Sequence, residues 1–79
     1  MNKIIEYLLK MQTQTEMFEF FDGLLTPKEK MELPRRLEIV KMLKAGIPQH
    51  TIAETLGVGV ATVTRGSKEV QNGKFSMIK

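Results

Sequence analysis

Threonine is followed three residues later by glutamate at Thr13–Glu16 and at Thr26–Glu29, each ahead of an apolar stretch, and prolines stand at positions 27, 34 and 48. Each Thr-x-x-Glu is a capping-box pattern: the hydroxyl takes an orphan N–H of the first turn, and the carboxylate returns to the cap. Pro27 fits the first helical position, where its missing N–H costs nothing. Pro34 cannot donate to a helix ladder, so it stops one helix or starts the next. Strand signals are poor, because apolar and polar residues do not alternate. The chain is therefore expected to be all-α, with about six short helices.

Helical apolar faces fill the intervals. Ile4, Ile5, Leu8 and Leu9 mark one face over Lys3–Met11. Met17, Phe18, Phe21, Leu24 and Leu25 mark a second, with Phe20 beside them. A short third segment opens at Thr26. A fourth runs over Pro34–Ala45 and meets Gly46, a natural C′ residue. Its Ile39, Val40, Met42 and Leu43 cover an arc of about 160° at 100° per residue, wider than a one-sided surface helix needs. That helix should pack on more than one neighbour. A fifth segment begins at Pro48, placed at the first helical position, and ends at Leu56; a sixth spans Gly59–Lys68. Asn72-Gly73 signals a turn before Phe75, Met77 and Ile78, and the pattern leaves open whether this tail docks.

A chain of 79 residues has room for one domain at most. Chains this small usually need a disulfide, a metal or a partner. There is no cysteine, so disulfides and thiolate zinc sites are excluded, and with one histidine the chain cannot easily assemble the three or four ligands of another zinc site. Self-association remains. The expected division is 1–33 for dimerisation helices, 34–46 for a central helix, 48–68 for a functional head and 70–79 for a tail. No apolar run is long enough to span a membrane, and the first residues lack a signal peptide's apolar block, so cytoplasmic residence is expected.

Charge is unevenly distributed. Residues 1–33 carry four Lys against six Asp or Glu, a net of −2; residues 34–79 carry eight Lys or Arg against three Glu, a net of +5. A basic half suits an anionic partner, although solubility alone explains many such asymmetries.

The most restrictive pattern runs from Gln49 to Gly66. It reads as a helix, a short turn containing Gly57, and a second helix, the anatomy of a helix-turn-helix. Ala53 falls where the two helices cross and permits close approach. Gly57, four residues on, supplies the left-handed conformation of the turn. Ile52, Leu56, Val58 and Val63 form the inner face. Gly59, Val60, Ala61, Thr62, Thr64 and Arg65 are left around the start and outer face of the second helix. Short side chains let a helix enter the major groove closely, and methyl groups can meet thymine methyls. Thr hydroxyls, Arg65 and Lys68 can bond phosphates, which position a protein on DNA. An ordinary helical hairpin is the plainer alternative.

The stretch Leu25–Gly73 resembles the bacterial tryptophan repressor family. Gly57-Val58-Gly59-Val60-Ala61-Thr62-Val63-Thr64-Arg65 matches the end of that family's helix-turn-helix, and Gly66-Ser67 follow. Upstream, Leu25-Thr26-Pro27-x-Glu29 and Arg36-x-x-Ile39-Val40-x-x-Leu43-x-x-Gly46 also fit. The resemblance implies an intertwined homodimer, with two reading heads in successive major grooves of double-stranded DNA about 34–36 Å apart. It implies a repressor that reads a pseudo-palindromic operator. Gln49 and His50 match positions that touch DNA in the family, though an exposed polar role serves either residue equally well.

The resemblance also implies an effector site between the central helix and the reading head. Arg36 and Arg65 would bracket a small aromatic ligand such as L-tryptophan, with Gly66 beside it. The backbone at Leu25 and Thr26 of the partner chain would hold its ammonium group. Guanidinium planes suit that task, since they stack on rings and pair with carboxylates. Pairing of Arg36 with Glu32 is the competing role. Three departures stand out. Glu69 puts a carboxylate where a ligand carboxylate would approach, which weighs against tryptophan. The turn between Gly46 and Gln49 is a residue shorter than in the best-known members. The N-terminal region is shorter too, and Thr13–Glu16 interrupts what is one long helix elsewhere.

Other chemistries find little footing. Ser67, His50 and Asp22 are scattered, and no nucleophile motif surrounds a serine, so no catalytic residue is expected. Gly57-Val58-Gly59 follows a helix rather than a strand and is no dinucleotide motif. The methionines and Phe18, Phe20 and Phe21 suit apolar packing. The rival readings are an effector-independent DNA binder, the recognition module of a transposase-like protein, and a helical adaptor for another protein.

Overall fold

The computed structural model describes residues 1–79. It is all-α, with five helices and no strand: α1 (Asn2–Lys10), α2 (Gln14–Leu24), α3 (Pro27–Lys44), α4 (Gln49–Leu56) and α5 (Val60–Gln71). The backbone divides into two compact units, Met1–Met31 and Glu32–Lys79.

In the first unit, the threonine cap forms at both Thr-x-x-Glu patterns, and the full box closes at the second. The Glu16 N–H donates to Thr13 Oγ1 at 3.1 Å. At the start of α3 the exchange is reciprocal: the Glu29 N–H donates to Thr26 Oγ1 at 3.2 Å, and the Thr26 N–H donates to Glu29 Oε1 at 2.9 Å. Lys30 Nζ also reaches Asp22 Oδ1 at 2.7 Å, tying the first turn of α3 to the last of α2. Local bonds therefore fix the helix ends here. Burial does not, because neither α1 nor α2 contains a buried residue. Ile5, Tyr7, Leu9, Phe18, Leu24 and Met31 are all exposed.

The second unit holds the core. Ile39 of α3, Ile52 and Ala53 of α4 and Val63 of α5 are buried together, and Met42, Leu43, Ile47, Leu56 and Val58 pack around them. All but Ile47 are positions that the sequence reading assigns to the inner faces of these helices and the turn between the last two. Burial of a branched aliphatic side chain contributes about 1.5–3 kcal/mol, so these few residues carry most of the cohesion of a small unit.

The expected break at Pro34 is absent. The third and fourth segments are one helix, α3, with Pro34 inside it; this leaves five helices rather than about six. The reason is local. Proline removes only its own N–H, leaving the Lys30 carbonyl without its helical donor, and its fixed φ is itself helical. Leu33 to Glu38 are all exposed, so water can reach the loosened turn. Good helix formers flank the site. Smaller shifts occur downstream. Pro48 is the N-cap of α4 rather than its first helical residue. The last helix opens at Val60, with Gly59 as N-cap, and continues past Lys68 to Gln71.

The cap of α3 has a pH signature. The bonds from the Thr26 backbone N–H and the Thr26 side chain hold the Glu29 carboxyl below the ordinary glutamate value of 4.5. A depressed folded value means that the carboxylate's contribution is complete above the unfolded value and is lost as pH falls through the folded one. NMR titration should place Glu29 below 4.5, and E29Q should flatten part of the acid-side loss of stability. A midpoint at or above the ordinary value would mean that the box is open in solution. In the second unit, Ile52→Ala should lower stability by about 2–5 kcal/mol, measured by denaturant unfolding.

Candidate nucleic-acid interface and adjoining cavity

The turn between α4 and α5 is set by Gly57, whose φ of 64° and ψ of 38° are left-handed. A side chain there would be strained. The Val58 N–H reaches back to the Ala53 carbonyl at 3.1 Å, closing the end of α4. Val58 then turns inward, and Gly59 opens α5 with φ −70° and ψ 148° and no capping side chain. Inside the pair, Ile52 and Val63 are wholly buried. Outside it, Thr64 Oγ1 donates to Gln49 Oε1 at 2.9 Å, linking the middle of α5 to the start of α4.

The candidate DNA-facing residues fall into two groups. His50, Gly59, Val60, Ala61, Thr62, Arg65 and Lys68 are exposed. Val60, Ala61, Thr64, Arg65 and Lys68 line one open groove along α5. Gln49 and Thr64 are half-buried and bonded to each other. The groove therefore combines small apolar groups near the start of α5 with two cations, Arg65 about one turn further on and Lys68 about two. Its other side, Val63, faces the core.

A second concavity, of about 410 Å³, lies between α3 and α5. Arg36, Arg65 and Gly66 line it, so three residues of the candidate effector set meet there. Glu69 lines it as well, and Leu37, Val40 and Phe75 supply apolar wall. Arg65 is common to the cavity and the groove. Arg36 is already engaged, with Nη2 3.6 Å from Glu32 Oε2 and its side chain 62% exposed. At that exposure the pair adds little stability, but it orients the guanidinium. Gly66 matters by its bareness: a Cβ there would lie 3.3 Å from Ile39 Cγ2 and 3.5 Å from Leu43 Cδ1. Leu25 and Thr26 belong to the first unit and do not line the cavity of their own chain.

Two contributors escaped sequence reasoning. Lys44, in the last turn of α3, donates through Nζ to the carbonyl oxygens of Phe75 and Ile78. Phe75 stands in the cavity wall. The signals were faint: a lysine at a helix C-terminus and an aromatic just beyond Asn72-Gly73. No group of three or more His, Cys, Asp or Glu side chains could hold a metal ion, and no helix is long and apolar enough to cross a membrane.

Comparison with known proteins gives a consistent result. The family model described as Trp repressor protein matches residues 1–77. A Trp operon repressor homolog of Vibrio cholerae is 40% identical over 67 residues, covering 82% of this chain and 65% of that protein. One of Vibrio vulnificus is 47% identical over 49 residues, covering 61% of this chain and 48% of that protein. The protein YerC of Bacillus subtilis, described as uncharacterized, is 32% identical over 65 residues, covering 82% of this chain and 62% of that protein. The chain thus spans about half to two thirds of the length of these relatives. No solved structure matches it significantly.

The Thr64–Gln49 bond is the most testable element of this geometry. Thr64→Val should cost about 1 kcal/mol and release the Gln49 side chain. NMR of the Gln49 side-chain amide, compared between wild type and variant, should then show faster averaging. An unchanged Gln49 signal would mean that the bond does not form in solution.

Proposed function

The chain belongs to the Trp repressor family, and from that premise we propose that it is a sequence-specific DNA-binding transcription regulator acting as a repressor. The family is one of non-enzymatic regulators, and membership suggests DNA-binding regulation. One observation carries the finer reading. The exposed face of α5 presents Val60, Ala61, Thr64, Arg65 and Lys68 along a single groove, with only small groups where the helix begins.

In this reading α4 and α5 form the helix-turn-helix. The start of α5 enters the major groove, where the Val60 and Ala61 side chains and the Thr62 methyl approach base edges. Arg65 and Lys68 pair with phosphates on the groove wall, and His50 meets the backbone from α4. Gln49 holds Thr64 in place across the helix pair. Gly59 brings no side chain to the helix start, so the backbone can approach the duplex closely. Binding occludes promoter DNA.

The protein acts as a homodimer in this proposal, built by α1, α2 and the start of α3. Those helices bury nothing within one chain and expose Ile5, Leu9, Phe18 and Leu24. A second copy gives that apolar surface somewhere to go, and a two-fold axis makes the site pseudo-palindromic.

Effector-independent binding is the second reading, and Glu69 favours it. A carboxylate lines the cavity beside Arg36 and Arg65. It would repel the carboxylate of L-tryptophan.

Selection from a random DNA pool, run with and without L-tryptophan, tests both readings. The expected result is one pseudo-palindromic motif in both arms. A motif only with tryptophan would restore it as effector, and no motif in either arm would remove sequence-specific reading. Arg65→Ala should weaken binding at least tenfold while leaving the dimer intact by sedimentation. Log affinity should fall steeply with log salt, by about 0.9 for each phosphate neutralised; a protein adaptor would show no such slope.

A further inference from the structure

The residues after α5 are not a frayed end. α5 closes with a Schellman motif: the Gly73 N–H reaches the Val70 carbonyl at 3.0 Å, and the Lys74 N–H reaches the Glu69 carbonyl at 3.1 Å. Gly73 has φ 79°, which turns the chain back after the helix. The Ile78 N–H then bonds the Phe75 carbonyl at 3.0 Å, folding the tail into its own turn. Lys44 grips that turn from α3, at two carbonyls 31 and 34 residues away in sequence. A cation at the C-terminus of α3 is also well placed for the helix dipole. The ring of Phe75 takes a place in the cavity wall shared by α3 and α5.

From these contacts we infer that Lys44 and Phe75 are positioning residues for α5: the tail is a latch that fastens the reading helix to the central helix. The inference rests, for its consequence on DNA, on the reading of α5 given above. Two features make a latch necessary. Beyond Val63 the inner face of α5 offers α3 little side chain to hold, because Gly66 is bare where a Cβ would meet Ile39 and Leu43. The cavity beside that point is open space between the two helices. Packing at Val63 fixes one end of α5, whereas the Glu69–Gln71 end lies beyond the buried cluster. The latch holds that second end by returning the chain to α3. A helix held at both ends keeps one angle to its neighbour, so the groove residues are presented in one arrangement. The chain thereby supplies from its own tail an aromatic group for the cavity, and no small molecule is required to complete it.

The test uses the full chain with Lys44→Met, Lys44→Arg and Phe75→Ala. Methionine keeps the apolar stem and removes the donors; arginine keeps charge and donors. The first readout is amide hydrogen exchange in the DNA-free protein. Lys44→Met and Phe75→Ala should speed exchange over Glu69–Gln71 about tenfold or more, leave Ile52 and Val63 protected, and leave the dimer unchanged. Lys44→Arg should restore slow exchange. The second readout is affinity for the selected DNA site, expected to fall at least fivefold in the same two variants and to recover in Lys44→Arg. Unchanged exchange would overturn the latch. Faster exchange with unchanged affinity would overturn its role in presenting the groove. If wild-type protein retained no DNA, the functional reading would fall, and exchange alone would decide whether the latch exists.

Discussion

Three side chains meet where the central helix and the last two helices converge: Ile39 is 2% exposed, and Ile52 and Val63 are not exposed at all. Everything that gives the second unit a defined surface follows from that contact. Val63 at the centre fixes the rotation of α5, so the groove residues point away from the core. Ala53 lets α4 lie close, and the left-handed Gly57 allows the chain to turn from one helix into the next within three residues. Because interiors are close-packed, a lost methylene at this point has no neighbour ready to replace it. The stability of the unit and the aim of its outer face are one physical problem.

The first unit follows a different logic. Its helices are short, α2 is capped by Thr13 whereas α1 has no capping side chain, and neither contains a buried residue. Capping boxes and ion pairs such as Lys30–Asp22 settle where helices begin and how they join, but contributions of that size do not hold a set of helices against the entropy of the chain. The apolar surface they leave exposed is therefore the strongest physical argument for association. The chain divides into a unit that packs internally and one that leaves its apolar side chains exposed.

Much of this was legible in the sequence, for reasons that can be named. Both threonine caps, the turn at Gly57 and the inner positions Ile52, Ala53 and Val63 depend on spacings within a few residues, which local chemistry enforces. Pro34 was misread because the rule that proline ends helices weighs a lost hydrogen bond and ignores whether water can satisfy the freed carbonyl in an exposed turn. Gly66 was visible only as a resemblance to an effector position. Its packing against Ile39 needed coordinates, although a glycine inside a helix, at a cost of roughly 1 kcal/mol against alanine, already asks for a reason. The grip of Lys44 on Phe75 and Ile78 had no local period at all, since its partners lie 31 and 34 residues away.

On α5 the inward positions are few. Val63 is buried, Gly66 sits against α3, and most of the rest of the first two turns is exposed. Substitutions at exposed positions usually change stability by no more than about 0.5 kcal/mol. Val60, Ala61, Thr62, Arg65 and Lys68 are thus nearly free of the fold, whereas Thr64 is tied to it through Gln49. A scaffold arranged this way can change what its outer surface recognises by mutation after mutation, each step leaving a folded protein behind, and the ancestry of such a chain would be recorded in its inner face while its outer face drifted with whatever it served.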